Sequence, residues 1–365
     1  MMWIAVLVAI LAGLLAQPPS QPPSQSPGEA PAQPVSRSAV HPDKIDQAVL
    51  VDVMRALPEA RSARMDREGL AKAEGVLVAR LKALGYEPSL QEVKWSIPAR
   101  NWKEGQAKER AKDGAKDGAT PAAAPVVSNN IIVEIKGTKL PHEVVLVSAH
   151  FDAVPGSPGA DDDASGVAGV MELARVLKDR PLERTVRLVL FTFEEVGLVG
   201  SAAYVRQWRD DTKPGGPREK ETIVAMLSLE LLGYYSDKEG SQKSPFPAVK
   251  GVFEPSTVGD NIVLVTTSAH QPLTKRVEAA MIAAAPGVKV FRADFSPVPL
   301  PDLMRSDHAP FLLAGIPAVM VTDTANFRNP NYHKATDTIE TLDLERMTRT
   351  VEGIAGAVRE LAGGR

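Results

Sequence analysis

Between residues 129 and 361 the chain switches repeatedly between two hydrophobic rhythms. Short runs are apolar at nearly every position: VVLVSA (144–149), VRLVLFTF (186–193) and AVMV (318–321). Such runs suit central strands covered on both faces. Between them lie longer stretches with apolar residues three or four apart, the spacing of a helix with one buried face. The pattern predicts strands over 130–135, 144–149, 185–193, 223–231, 262–267, 288–292 and 318–322. It predicts helices over 164–177, 201–208, 272–284, 307–313 and 342–361. Strand and helix in alternation imply an α/β layered domain with a largely parallel sheet flanked by helices.

Upstream, Ile45, Val49, Leu50, Val53, Met54 and Leu57 share one helical face from about residue 43. A second helix is expected over 67–84, ended by Gly85, and then a strand over 88–95. Residues 99–125 break the pattern. Their repetitive charged sequence (KEGQAKERAKDGAKDGATPAAAP) has no apolar face and reads as a solvated surface insertion. The segment 17–42 is rich in Pro, Ser and Gln, too poor in apolar surface to fold, and reads as an extended linker. Before it, Trp3 to Ala16 is an unbroken apolar run of 14 residues. That is the length of a signal-peptide core and short of the roughly 20 residues of a membrane span. Residues 1–16 are therefore expected to be a signal peptide cleaved after Ala16, or an uncleaved N-terminal anchor. Either places the protein in the periplasm or outside the cell, with the folded domain over 43–365.

Composition narrows the chemistry. The chain has no cysteine, which removes disulfides, thiolate nucleophiles and thiolate metal sites, so a metal here must take His and carboxylate ligands. Lys and Arg number 42 against 45 Asp and Glu, a balance with no basic surface for nucleic acid.

Candidate donors gather where the predicted strands end. His150 follows VVLVSA, Glu194 and Glu195 follow the 186–193 strand, and Glu230 closes IVAMLSL. In an open α/β sheet, sites form in the crevice outside the carboxyl ends of the strands, so these residues converge in space. Asp152, two positions after His150, is placed to fix its ring from behind a metal. The segment GSPGADDDASG (156–166) puts three aspartates in front of an apolar helix. Helix capping explains one of them but not all three. Asp162 is the candidate to bridge two cations. An EF-hand loop is the weaker alternative, because its glycine and distal glutamate spacing is missing. In the adjacent pair Glu194–Glu195, one side chain can bind metal while the other addresses a water. His333, in the loop RNPNYHKATDT (328–338), supplies a second imidazole. His308, in SDHAPF, starts a short helix and reads as a cap or pocket-lining residue. His41, His142 and His270 lack a carboxylate setting and read as surface or packing residues.

The ordered series HFD, PGADDDASG, FEEVGLVGS, SLELLGYYSD, RSDHAPF and NYHKATDT resembles the motifs of the zinc aminopeptidase family that also contains glutamate carboxypeptidases and glutaminyl cyclases. The likeness covers roughly residues 129–360. It implies a three-layer single domain with a mixed, largely parallel central sheet and two Zn2+ ions. By position, His150 and Glu230 would hold one zinc and Glu195 and His333 the other, with Asp162 bridging. Glu194 would be the general base and Asp152 the residue orienting His150, and the peptide bond after Asp162 would be cis. Arg328, Asp323, Tyr235 and His308 would be substrate contacts. The chain departs from the family at Glu230, where a typical member carries Asp. The resemblance implies a metallo-exopeptidase acting on peptide substrates through a metal-activated water, foremost an aminopeptidase. Carboxypeptidase or dipeptidase activity on the same scaffold is the alternative, followed by a glutaminyl cyclase or a non-catalytic binding protein.

Overall fold

The computed structural model describes residues 44–96, 124–245, 255–294 and 301–364. The expected signal or anchor segment, the linker and nearly all of the charged insertion lie outside the described residues. Among the described residues no helix is long and apolar enough to cross a membrane.

Two helices, α1 (Gln47–Ala56) and α2 (Arg67–Ala83), precede the sheet. Asp46 caps α1 by accepting a hydrogen bond from the Ala48 amide at 2.8 Å. The chain continues through β1 (Ser89–Trp95), β2 (Val126–Ile135), β3 (Leu140–His150), a tight turn over Ala160–Ser165, and α3 (Gly166–Leu177). Next come β4 (Arg184–Phe191), α4 (Val199–Asp211), β5 (Thr222–Glu230), β6 (Ile262–Val265) and α5 (Gln271–Ala284). Then follow β7 (Val290–Ala293), α6 (His308–Leu313), β8 (Ala318–Thr322) and α7 (Leu344–Leu361).

The eight strands form one sheet in the order β1-β2-β4-β3-β5-β8-β6-β7. The neighbours β4-β3-β5-β8 run parallel, as do β6 and β7. The pairs β1-β2, β2-β4 and β6-β8 run antiparallel, so the sheet is mixed.

Side chains of successive strand residues point to opposite faces, and the central strands divide their apolar residues accordingly. Val145, Val147 and Ala149 of β3 join the larger core, with Val186, Leu188 and Leu190 of β4. Residues of α1, α2, α3, α5 and α7 complete that layer. Val144 and Leu146 face the other way, into a smaller core with Phe191, Tyr204, Met226 and Phe311. There Phe191, Tyr204 and Phe311 meet with ring centroids 5.8–6.3 Å apart. Burial on both faces is why these strands read as continuous apolar runs. The result is a three-layer α/β domain. From β3 the chain passes to β4 on one side and then to β5 on the other, so the crevice at the carboxyl ends of these strands is a topological switch point.

Candidate metal centre

His150 is the last residue of β3 and Glu230 the last of β5, while Glu194 and Glu195 follow β4 by three and four positions. The exits of β4 and β5 are each bent by a residue in the left-handed region. Phe193 has φ 61° just before the glutamate pair, and Leu231 has φ 53° just after Glu230. His333 itself has φ 60°. Non-glycine residues there cost about 1–3 kcal/mol each and persist only where surrounding bonds fix them. The Leu231 amide is so fixed, donating to Asp163 Oδ1 at 3.2 Å.

The donor atoms converge. His150 Nε2 lies 3.1 Å from Asp162 Oδ1 and 3.6 Å from Glu230 Oε2. His333 Nε2 lies 3.1 Å from Asp162 Oδ2 and 3.4 Å from Glu195 Oε2. Each oxygen of Asp162 thus faces a different imidazole. Glu230, although one methylene longer than an Asp, brings its oxygen into the same range.

A divalent metal fits this donor set. Zinc–ligand bonds of about 2.0–2.2 Å in a tetrahedron separate ligand atoms by about 3.4 Å, close to the spacings seen. Among the described residues, Asp162 Oδ2 and Glu195 Oε1 are buried and have no well-aligned hydrogen-bond donor. Among the described residues, no Lys or Arg pairs with Asp162, Glu194, Glu195 or Glu230. His150, Asp163 and Glu230, and His150, Asp162 and Glu195, each bring ligand atoms within 4.8 Å of one another.

The electrostatics of the cluster's own side chains show the strain that a cation would relieve. Burial pushes the Glu194 carboxyl well above its ordinary range, reinforced by Glu230 and Glu195. Burial and the charge of Asp162 push Glu195 up to about 7. Burial works against protonation of His150 and His333, yet the surrounding carboxylates raise both, His333 to about 9. Metal binding must displace such protons.

A second layer of carboxylates holds the loops together. Asp152, fully buried, accepts from the amides of Glu194 at 3.0 Å and Glu195 at 3.2 Å. Its carbonyl oxygen is 3.1 Å from His150 Nδ1, whereas its carboxylate is 3.7 Å away. Orientation of the ring therefore falls to the Asp152 backbone, and the carboxylate ties the β4 exit to the β3 exit. Asp161 accepts from the Gly233 amide at 2.8 Å and from Asn329 Nδ2 at 2.7 Å. Asp163 accepts from the amides of His150, Gly166 and Leu231. Asp337 accepts from the amides of Asp161 and Asp162 at 3.0 and 3.2 Å. The Asp162–Asp163 peptide bond is cis.

Two residues here were not singled out from the sequence. Arg61 is buried and donates to the carbonyls of Phe151 at 2.9 Å and Gly159 at 2.7 Å, and also to that of Pro158. Asp307 is buried beside Ser201 with neither oxygen in a well-aligned hydrogen bond to the described residues, and burial pushes its carboxyl up to about 7. A buried, unpaired aspartate leaves no mark in a hydropathy pattern, and Arg61 is recognisable only from its distant acceptors.

A cavity of about 400 Å³ opens beside the cluster. Its wall includes Glu194, Leu231, Val263, Phe291, Leu303 and Met320. The four expected substrate contacts are not in that wall. Arg328 is buried against Asn261 and Gln242, at 2.6 and 2.8 Å, and stacks over Tyr235. Asp323 accepts from the amides of Tyr234 and Ala325. The Tyr235 hydroxyl meets Thr350 Oγ1 at 2.7 Å. His308 is fully buried with Nε2 2.9 Å from the Leu303 carbonyl, and burial lowers it to about 4, so it is neutral. Polar residues beside a motif are as readily used to brace its loops as to meet a ligand.

The family model for peptidase family M28 matches residues 130–358. Aminopeptidase YwaD of Bacillus subtilis (strain 168) is 29% identical over 243 residues, covering 64% of this chain and 44% of that relative. The chain thus spans less than half the length of this relative. Among solved structures, BSAP, a zinc aminopeptidase from Bacillus subtilis, superposes with a TM-score of 0.61 at 19% identity, covering 87% and 95% of the two chains. A glutaminyl cyclase from Fimbriiglobus ruber superposes with a TM-score of 0.60 at 19% identity, covering 91% and 99%. At such identity these two likenesses establish the fold.

Proposed function

The chain belongs to peptidase family M28, and on that premise we propose that it is a zinc-dependent aminopeptidase, releasing residues from the free amino ends of peptides. The observation that carries this reading is Asp162, whose two oxygens each lie 3.1 Å from a different imidazole. The names of YwaD and BSAP support the same activity.

His150, Glu230 and Asp162 would hold one ion, and His333, Glu195 and Asp162 the other. When bound, such ions supply a Lewis acid for the scissile carbonyl and lower the pKa of water. The remaining chemistry belongs to the chain. Glu194 stands in the cavity wall, outside that ligand set, with its amide fixed by Asp152. Its carboxylate takes the proton of the attacking water and, once protonated, returns it to the leaving amine. Burial and neighbouring acids raise its affinity for that proton, which brings it nearer the working range of a base at neutral pH. The surrounding acids favour a substrate's cationic amino end, and the apolar wall excludes water from its first side chain. The apolar run Trp3–Ala16 supports action outside the cytoplasm.

The test is hydrolysis of aminoacyl p-nitroanilides and of their N-acetylated forms, with metal-chelated and Glu194→Gln protein as controls. Cleavage confined to free amino ends and lost in both controls is expected. Cleavage of N-blocked peptides from the carboxyl end would move the assignment to a carboxypeptidase. Ring closure of N-terminal glutamine without hydrolysis would move it to a cyclase.

A further inference from the structure

Resting on the aminopeptidase reading, we propose that Arg305 binds the free α-carboxylate of the substrate, so that the preferred substrates are peptides of two or three residues. Arg305 lies in the cavity wall and is exposed to it. Its NH1 donates to Asn326 Oδ1 at 2.7 Å and its NH2 to the Tyr332 hydroxyl at 2.9 Å. Both partners are neutral, and among the described residues no carboxylate lies within ion-pair distance of it. Arg292, in the same wall, is by contrast paired with Glu278 at 2.9 Å and Asp294 at 3.0 Å. Toward the described residues Arg305 uses two of its five guanidinium N–H groups, which holds the planar fork and leaves donors that can take a carboxylate side-on.

Arg305 also sits at a defined remove from the reacting centre. Its guanidinium carbon is 5.7 Å from the Tyr332 ring centroid, and that ring stacks on the His333 ring at 3.8 Å with planes 19° apart. The cation thus sits at the hydroxyl edge of a ring that itself stacks on a proposed metal ligand. Each residue of extended chain covers about 3.3–3.6 Å, so one or two residues past the scissile bond bring a terminal carboxylate to Arg305, and longer peptides carry theirs past it. The cavity wall thus carries acids at the cluster, where the amino end is assigned, and the Arg305 cation at the end assigned to the leaving group. Lys243 and Asp302 stand in the same wall and offset each other, so Arg305 remains the cation whose donors face it.

The experiment uses zinc-loaded enzyme and compares kcat/KM for Leu-Gly, Leu-Gly-amide, Leu-Glu-amide, the series from Leu-Gly to Leu-Gly-Gly-Gly-Gly, and Leu-p-nitroanilide. Expected is a preference of about tenfold or more for Leu-Gly over its amide, carried in KM and fading beyond three residues. Arg305→Ala removes that preference and leaves the anilide within about twofold, while Arg305→Lys keeps part of it. Calorimetry with a reduced-bond Leu-Gly isostere on the Glu194→Gln holoenzyme reads the same loss without turnover. Equal cleavage of acid and amide by the wild type overturns the proposal. So does an Arg305→Ala variant that loses all substrates alike, which would make Arg305 a brace for Tyr332. A preference carried by Leu-Glu-amide instead reassigns Arg305 to an acidic side chain and overturns the α-carboxylate reading. Absence of anilide hydrolysis in the wild type overturns the aminopeptidase reading itself, an outcome distinct from the others because they leave that reaction intact.

Discussion

The three consecutive aspartates divide their work by contact. Asp161 and Asp163 spend their oxygens on backbone amides and Asn329, whereas Asp162 keeps one oxygen without a hydrogen bond between the two histidines. The run DDD was legible in the sequence as an excess of charge that capping alone cannot explain, and Asp162 was legible as the bridging candidate. Which oxygens serve the amides of Leu231 and Gly233 was not, because those amides are about 70 residues away. Glu194 is the residue whose proposed role is most sharply testable, since it stands apart from the ligand set. Glu194→Gln keeps the size and removes the base. It is expected to lower kcat by about 10²–10⁴ while metal content stays at the wild-type level. Steady-state kinetics beside elemental analysis checks this, and loss of metal along with activity would make Glu194 a ligand instead.

At the scale of elements, the exits of β4 and β5 depend on side chains from elsewhere in the chain, β2 for the first and the Ala160–Ser165 turn for the second. Asn130 of β2 accepts from the Thr192 amide at 3.1 Å and donates to the Gly200 carbonyl at 2.9 Å, pinning the end of β4 to the start of α4. This is why β4 stops at Phe191, two residues short of the apolar run that predicted it; β5 stops at Glu230 because Leu231 turns there and donates to Asp163. A hydropathy pattern gives the run and not the bond that ends it. The antiparallel neighbours of the parallel block escape it as well, since partner choice rests on contacts far along the chain. Gly200 is part of the same clamp: a Cβ there would lie 2.1 Å from the Thr192 carbonyl oxygen. Gly200→Ala must push α4 from the strand and is expected to cost about 1–3 kcal/mol, with a fall in kcat/KM as the glutamate pair shifts. Urea unfolding and kinetics read the two effects, and an unchanged unfolding midpoint would show that the clamp yields freely. Behind the sheet, Arg187 of β4 is buried between Glu221 and Glu134, at 2.6 and 2.5 Å. Burial raises the pKa of both glutamates, but the Arg187 charge and hydrogen bonds prevail and hold them below the ordinary range. The stabilisation is therefore present above the unfolded glutamate value of about 4.3 and is lost as pH falls through the lower folded values. Arg187→Met leaves two partly buried acids and should cost about 3 kcal/mol at pH 7, near the low end for a buried pair because Arg218 remains beside both. That deficit should shrink below pH 4. A deficit unchanged by acid would mean the pair contributes packing alone.

Across the whole molecule the formal charge is only -3, yet Asp152, Asp161, Asp162, Asp163, Glu194 and Glu230 are buried together at one edge of the sheet. A fold that gathers this much like charge away from water is working against itself unless a cation enters. The α/β class and the family motifs were visible in the sequence because strand ends and charged loops recur in a fixed order. The cost of assembling the loops was not, since it arises only when β3, β4 and β5 lie side by side. The consequence is thermodynamic coupling between metal and fold. A ligand that binds only the folded state adds about 2.7 kcal/mol when present at a hundredfold its Kd. Dialysis against chelator should therefore lower the unfolding temperature together with anilide hydrolysis, and returning zinc should restore both. The two losses are expected to track each other across a zinc titration, because the same carboxylates repel one another in the folded apo protein and bind the ion in the loaded one. Full activity after exhaustive chelation would remove the metal from the reaction. Lost activity at an unmoved unfolding temperature would mean that hydrogen bonds such as those from the Glu194, Leu231 and Gly233 amides already offset the repulsion on their own.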